Sequence, residues 1–147
     1  MRIVVDTNIV FSGMLNTNSN IARILLFSKS KFNFYSSEIL LYELEEHKDK
    51  LMTISGYTEL QFERVFELFI RKIRLIEIRL IPVHIYNKAY FLTREVDPDD
   101  TEFVALTEYI TGKLWSGDKL LRKGLVKKGW SNFITTQELF HLISSDH

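Results

Sequence analysis

The residues of this 147-residue chain whose types and spacing could do chemistry are acids that follow short apolar runs. Ile3-Val4-Val5 is an unbroken β-branched run, the pattern of a strand buried on both faces, and Asp6 comes directly after it. Leu114-Trp115 leads through Ser116-Gly117 to Asp118, which repeats that logic of strand, small turn and aspartate. Ligands of open parallel sheets gather at the carboxyl ends of the strands, so two strands that each end in Asp aim both carboxylates at one edge. An ordinary role is open to the same residues, because Asp6 with Thr7 and Asn8 can simply hold a turn.

Two further acid positions stand out. A helix from Ser37 to about residue 51 centres its apolar face near Leu40, Leu44 and Leu51. On it Glu43 falls ~80° from that centre, whereas Glu38, Glu45 and Glu46 fall at ~120–140°. Glu43 is thus the acid aimed at the core margin, where a charge needs a partner or a metal. Asp97-Pro98-Asp99-Asp100 opens a helix expected over 99–111. Asp99 with Glu102 fits a capping box, and Asp100 shares a face with Phe103, Val104 and Thr107. One acid suffices for a cap, so the excess has another use.

Carboxylates that meet in one cleft repel one another unless a cation joins them. An all-oxygen ligand set suits Mg²⁺ or Mn²⁺, cations that clamp a phosphodiester and stabilise its leaving oxygen. The chain has no cysteine, and His47, His84, His141 and His147 are scattered as surface or partly buried residues. No nucleophile with a credible base competes. An aspartyl-phosphate phosphatase also begins with strand-then-Asp, but would want a second Asp two residues on, where this chain has Asn8.

The elements that must position these acids alternate. Helices are expected over 21–28, with Ser19 or Asn20 as cap, over 58–75 with Phe62, Val65, Phe66, Phe69 and Ile73 on one face, over 86–95 and over 136–144. Strands are expected at 32–35, at 113–116, at 132–134 and, as an edge strand ending near Pro82, at 77–83; Gly112 stops the helix before the strand at 113. Alternating strands and helices imply a three-layer α/β fold with a parallel sheet, built as one domain over 1–147. Lys+Arg and Asp+Glu balance at 19 each, so any nucleic-acid contact must come from a local patch. Lys119, Arg122 and Lys123, with Lys127 and Lys128 beyond them, crowd the segment after Asp118; Arg71, Lys72 and Arg74 form a second strip. No apolar run approaches the ~20 residues that span a bilayer, and the N-terminus lacks a signal-peptide layout, so a cytoplasmic protein is expected.

Together Val4-Val5-Asp6-Thr7-Asn8, Glu43 within Ile39-Leu40-Leu41-Tyr42-Glu43-Leu44, Asp97-Pro98-Asp99-Asp100 with Phe103-Val104-Ala105-Leu106, and Trp115-Ser116-Gly117-Asp118-Lys119 resemble a PIN domain, most of all the branch containing VapC-like toxins. The resemblance covers nearly the whole chain in the family's order and spacing. It implies a sheet of order 3-2-1-4-5 and a metal-dependent ribonuclease, cleaving single-stranded RNA; a PIN-like fold kept as a non-catalytic binding module is the alternative, against which four retained acids speak. It also implies the toxin half of a toxin–antitoxin pair, with a protein antitoxin as partner, and a homodimer. Carried over, Asp6, Glu43, Asp100 and Asp118 would be the acidic quartet, with Asn8 and Ser116 steadying it. Asp97 and Asp99 stand close enough to Asp100 to leave the ligand open among the three. One departure is Thr107, where the family usually carries alanine.

Overall fold

The structure is a computed structural model that describes residues 1–145; Asp146 and His147, and with them the reading of His147, lie outside the described residues. Its centre is β1 (Arg2–Val5), whose Ile3, Val4 and Val5 are fully buried. Parallel strands flank it on both sides: β2 (Asn33–Ser37) and β4 (Lys113–Trp115) pair with β1, β3 (Ile73–Ile76) with β2, and β5 (Phe133–Ile134) with β4. The order is β3-β2-β1-β4-β5, which is the three-layer arrangement expected.

Side chains alternate across β1 and divide the core in two. Ile3 and Val5 join Phe34 and Trp115 under one helical layer: α1 (Thr7–Leu15), α2 (Asn20–Phe27), α3 (Ile39–Glu46), α4 (Lys48–Ser55), α5 (Glu59–Ile70) and α9 (Thr136–Ser144). Val4 joins Leu114 under the other layer: α6 (Val83–Thr93), α7 (Thr101–Ile110) and α8 (Lys119–Lys127). Gly124 allows α8 to close on the chain just before Asp97, since a Cβ there would lie 2.7 Å from a Val96 methyl. Among the described residues no helix is long and apolar enough to cross a membrane.

Several boundaries differ from the periodicity. The long helix expected to residue 75 stops at Ile70, and the third strand is Ile73–Ile76 rather than 77–83. Pairing with β2 decides this: Phe34 and Tyr35 stand opposite Ile73 and Arg74, a tertiary demand that overrides helical spacing. Ile78–Leu80 forms a 3₁₀ turn, and Pro82 immediately precedes α6. The helix expected from Ser37 to 51 divides at His47, so that Leu44 and Leu51 both reach the core. The helix after the acid cluster starts at Thr101 rather than 99, and it ends on Thr111 in the left-handed region (φ 54°), one residue before Gly112. Helix α1 directly follows Asp6, where only a turn was expected.

Candidate metal centre

The right-handed run of parallel strands brings the ends of β1 and β4 side by side, because Val5 pairs with Trp115. Asp6 and Asp118 therefore leave the same sheet edge. Each also starts a helix: Asp6 Oδ1 accepts the Ile9 N–H at 3.0 Å, and Asp118 Oδ1 accepts the Leu121 N–H at 3.0 Å. The turn-holding role and the site-forming role thus coexist in both residues. Asp6 is 3% exposed, and burial lifts its carboxyl to about 6, with the Asp118 and Glu43 charges pushing the same way. Hydrogen bonds from the Ser116 side chain and the Ile9 amide oppose that rise.

The third acid arrives from the other layer. Asp97 caps the 3₁₀ turn Pro98–Asp100 by accepting the Asp99 N–H at 3.1 Å. The turn is pinned to α6 through buried hydroxyls: Thr101 donates to the Pro98 carbonyl at 2.7 Å and lies 2.6 Å from the Thr93 hydroxyl. This pinning swings Asp97 and Asp100 toward β4. Single carboxylate oxygens of Asp97, Asp100 and Asp118 come within 4.8 Å of one another. Burial lifts the Asp100 carboxyl well above the carboxylate range, with Asp97, Asp6 and Asp118 adding repulsion.

The crowded aspartates take different positions. Asp97 and Asp100 bring carboxylate oxygens to the cluster with Asp118, whereas exposed Asp99 lies beside Glu43, where its charge helps to raise the Glu43 carboxyl. The capping box expected from Asp99 and Glu102 is absent: Asp100 stands at the start of α7 without a side-chain cap bond, and the cap belongs to Asp97. Glu43 occupies the margin, half-buried while Glu38, Glu45 and Glu46 are exposed. Burial raises its carboxyl, and the Thr7 hydroxyl, donating to Oε1 at 2.9 Å, steadies it. The exposed Asn8 side chain makes no hydrogen bond among the described residues, so Thr7 does the steadying expected of Asn8; Ser116 bonds Asp6. Sequence reasoning missed Glu102 as a site neighbour. Burial raises its carboxyl, a Ser37 side-chain hydrogen bond opposes this, and the Glu43 charge adds to it. Its place one turn before buried Ala105 and Leu106 was the available signal.

Among the described residues none of Asp6, Glu43, Asp97, Asp100 or Asp118 forms an ion pair with Lys or Arg. Clustered, partly buried carboxylates without a protein cation fit a hard divalent ion, for which Asp97, Asp100 and Asp118, with Asp6 beside them, are the ligands at hand. A buried Asp6 committed to Ser116 and Ile9, with Asn8 two residues on and turned to solvent, does not suit an attacking phosphatase nucleophile.

A five-stranded parallel α/β fold with acids converging on one sheet edge defines the class. A profile of the PIN domain matches residues 4–139, and the chain belongs to that family. PIN domains are in general nucleases, typically dependent on divalent metal. Two solved structures share the fold. One is the crystal structure of VapBC2 from Rickettsia felis bound to a DNA fragment from their promoter, at 15% identity and TM-score 0.65, covering 92% of this chain and 97% of that one. The other is PAE2754 from Pyrobaculum aerophilum, at 11% identity and TM-score 0.67, covering 99% and 96%. No curated protein matches by sequence.

Proposed function

We propose that the chain is a divalent-metal-dependent endoribonuclease that cuts single-stranded RNA and serves as the toxin of a toxin–antitoxin pair. The observation that carries the reading is the meeting of Asp97, Asp100 and Asp118 beside buried Asp6 at the carboxyl edge of β1 and β4. Asp97, Asp100 and Asp118 would hold Mg²⁺ or Mn²⁺, with Asp6 completing the set. A cation bound there neutralises the carboxylates and the charge that develops on a phosphodiester. Glu43, held by Thr7, stands where it can orient water or complete the ligand set.

The RNA path is read from the basic strip on α8. Lys119 and Lys123 are exposed and Arg122 is partly buried, all within the two turns that follow Asp118. Lys128 belongs elsewhere, since its ammonium donates to the Leu92 carbonyl at 3.2 Å and ties α8 to α6. Arg71 and Lys72 immediately precede β3, at the amino-terminal end of the parallel sheet and thus on the edge away from the acids. The toxin role, the antitoxin partner, the homodimer and a cytoplasmic location rest on the family resemblance, to which the VapBC2 likeness in fold adds support.

The test is cleavage of a labelled single-stranded RNA in Mn²⁺ or Mg²⁺, in EDTA, and with Asp118→Asn. Cleavage that needs the metal and falls at least about 100-fold in the variant is expected, the scale of losing a central charge-stabilising group. Cleavage that persists in EDTA, or is equal in the variant, would refute the reading.

A further inference from the structure

Beside the acid edge, between the first turns of α8 and α9, lies a cleft of about 250 Å³ walled by Ser116, Asp118, Lys119, Arg122, Thr136 and Gln137. Its chemistry is opposite to that of the acid cluster. Neither Lys119 nor Arg122 has an ion-pair partner among the described residues, although Asp118 is a near neighbour in sequence. The Arg122 guanidinium lies over the Phe133 ring, 5.3 Å from its centroid. The ring covers one face of the guanidinium and restrains it, while the N–H donors on its rim stay available. The cleft's one acid is partly engaged, since Asp118 Oδ1 takes the Leu121 N–H.

Thr136 makes the polarity of the wall explicit. Its Oγ1 accepts the indole N–H of fully buried Trp115 at 2.9 Å. An indole can only donate, so the threonine oxygen is the acceptor and its own hydrogen must be given elsewhere. No acceptor for it stands among the described residues. The Thr136 and Gln137 amides, in the first turn of α9, likewise lack intrahelical acceptors. Residues that carry ammonium, guanidinium, hydroxyl and amide donors thus line one small cleft, a set that suits an acceptor-only anion with several oxygens.

We propose that this cleft is a second phosphate site, which takes the phosphodiester of the RNA chain next to the one held at the acid edge. The proposal rests on the nuclease reading for the identity of the chain, and on the shared wall residues Ser116 and Asp118 for the adjacency of the two sites. Phosphate contacts of this kind fix the register of the chain without reading its bases.

The indole resonances test it. The chain has two tryptophans. The Trp115 N–H ends on Thr136 in the cleft wall, while the Trp130 N–H ends on Glu108 in the opposite layer and serves as an internal reference. Inorganic phosphate titrated into ¹⁵N-labelled, EDTA-treated protein is expected to move the Trp115 signal saturably and leave Trp130 in place. Arg122→Gln should abolish the response. In Mn²⁺, the wild type should cleave a trinucleotide, which has two phosphates, about tenfold faster in kcat/KM than a dinucleotide, which has one; Arg122→Gln should erase that gain. Cleavage with no Trp115 response, or an equal loss on both substrates in Arg122→Gln, overturns the second site and leaves the nuclease reading intact. A Trp115 response in a protein that cuts no RNA overturns the nuclease reading, and with it the assignment of the cleft to RNA.

Discussion

Replacing Asp6 by Asn should make the metal-free protein more stable, in a pH-dependent way. The Asp6 carboxyl titrates at about 6 in the fold, against 3.8 for a free carboxyl. Below the lower value both states hold the proton and the group is neutral to stability. As the pH rises through this window, the unfolded chain ionises while the fold keeps its proton, so stability falls; above about 6 the loss is complete. The gap corresponds to about 3 kcal/mol, which the buried carboxylate costs the empty protein at pH 7.5. Asn has the same shape, and its Oδ1 can still take the Ile9 N–H, so the helix start survives. The substitution also removes the charge that repels Asp118 and Asp100. In EDTA at pH 7.5 the variant should therefore melt roughly 5–10 °C above the wild type. At pH 4 the two should nearly coincide. Mn²⁺ at a thousandfold excess over Kd should reverse the order, because binding stabilises only the protein that binds well, by about 4.1 kcal/mol, which exceeds that cost. Thermal denaturation followed by circular dichroism at both pH values, with EDTA and with Mn²⁺, measures all of this. A variant that melts below the wild type in EDTA at pH 7.5, or a difference that does not change with pH, would refute the account of Asp6 as a carboxylate held at a cost for a cation.

The acid turn offers further tests. Asp97→Ala and Asp100→Ala should each remove metal-dependent cleavage, while exposed Asp99→Ala should retain it and change stability by less than about 0.5 kcal/mol, as read by parallel activity and melting assays. Thr93→Val deletes the hydroxyl that pins the turn to α6; it should cost about 1–2 kcal/mol and weaken Mn²⁺ binding in a calorimetric titration, with Thr93→Ser restoring both. Gly124→Ala places a methyl against the stiff Val96 side chain at 2.7 Å and should cost about 1–3 kcal/mol in denaturant unfolding, since neither backbone can easily retreat.

Local chemistry alone determined a good part of this protein. Ile3-Val4-Val5 carries the pattern of a strand buried on both faces, and an acid directly after such a strand leaves by the sheet edge where parallel strands end. Helical geometry alone singled out Glu43 among four acids, because the angle to Leu40 and Leu44 is set by the chain itself. The alternation of elements carried the three-layer fold, since parallel strands need crossovers on both faces. Long-range closure decided the rest. The third strand lies at Ile73–Ile76 because β2 offers it an unpaired edge, which no window of sequence records. Asp97 rather than Asp99 joins Asp100 and Asp118 because a Thr93–Thr101 hydroxyl contact, across eight residues, sets the pitch of the turn. Thr7 reaches Glu43 and Asn8 reaches solvent because α1 begins at once after Asp6, and successive helical residues point about 100° apart. The donor-lined cleft exists only because Trp115, Phe133 and Thr136, from β4, β5 and α9, meet beside Arg122 of α8. Sequence neighbours share a local geometry that can be read from spacing, but residues that meet only when the sheet closes leave no such period behind.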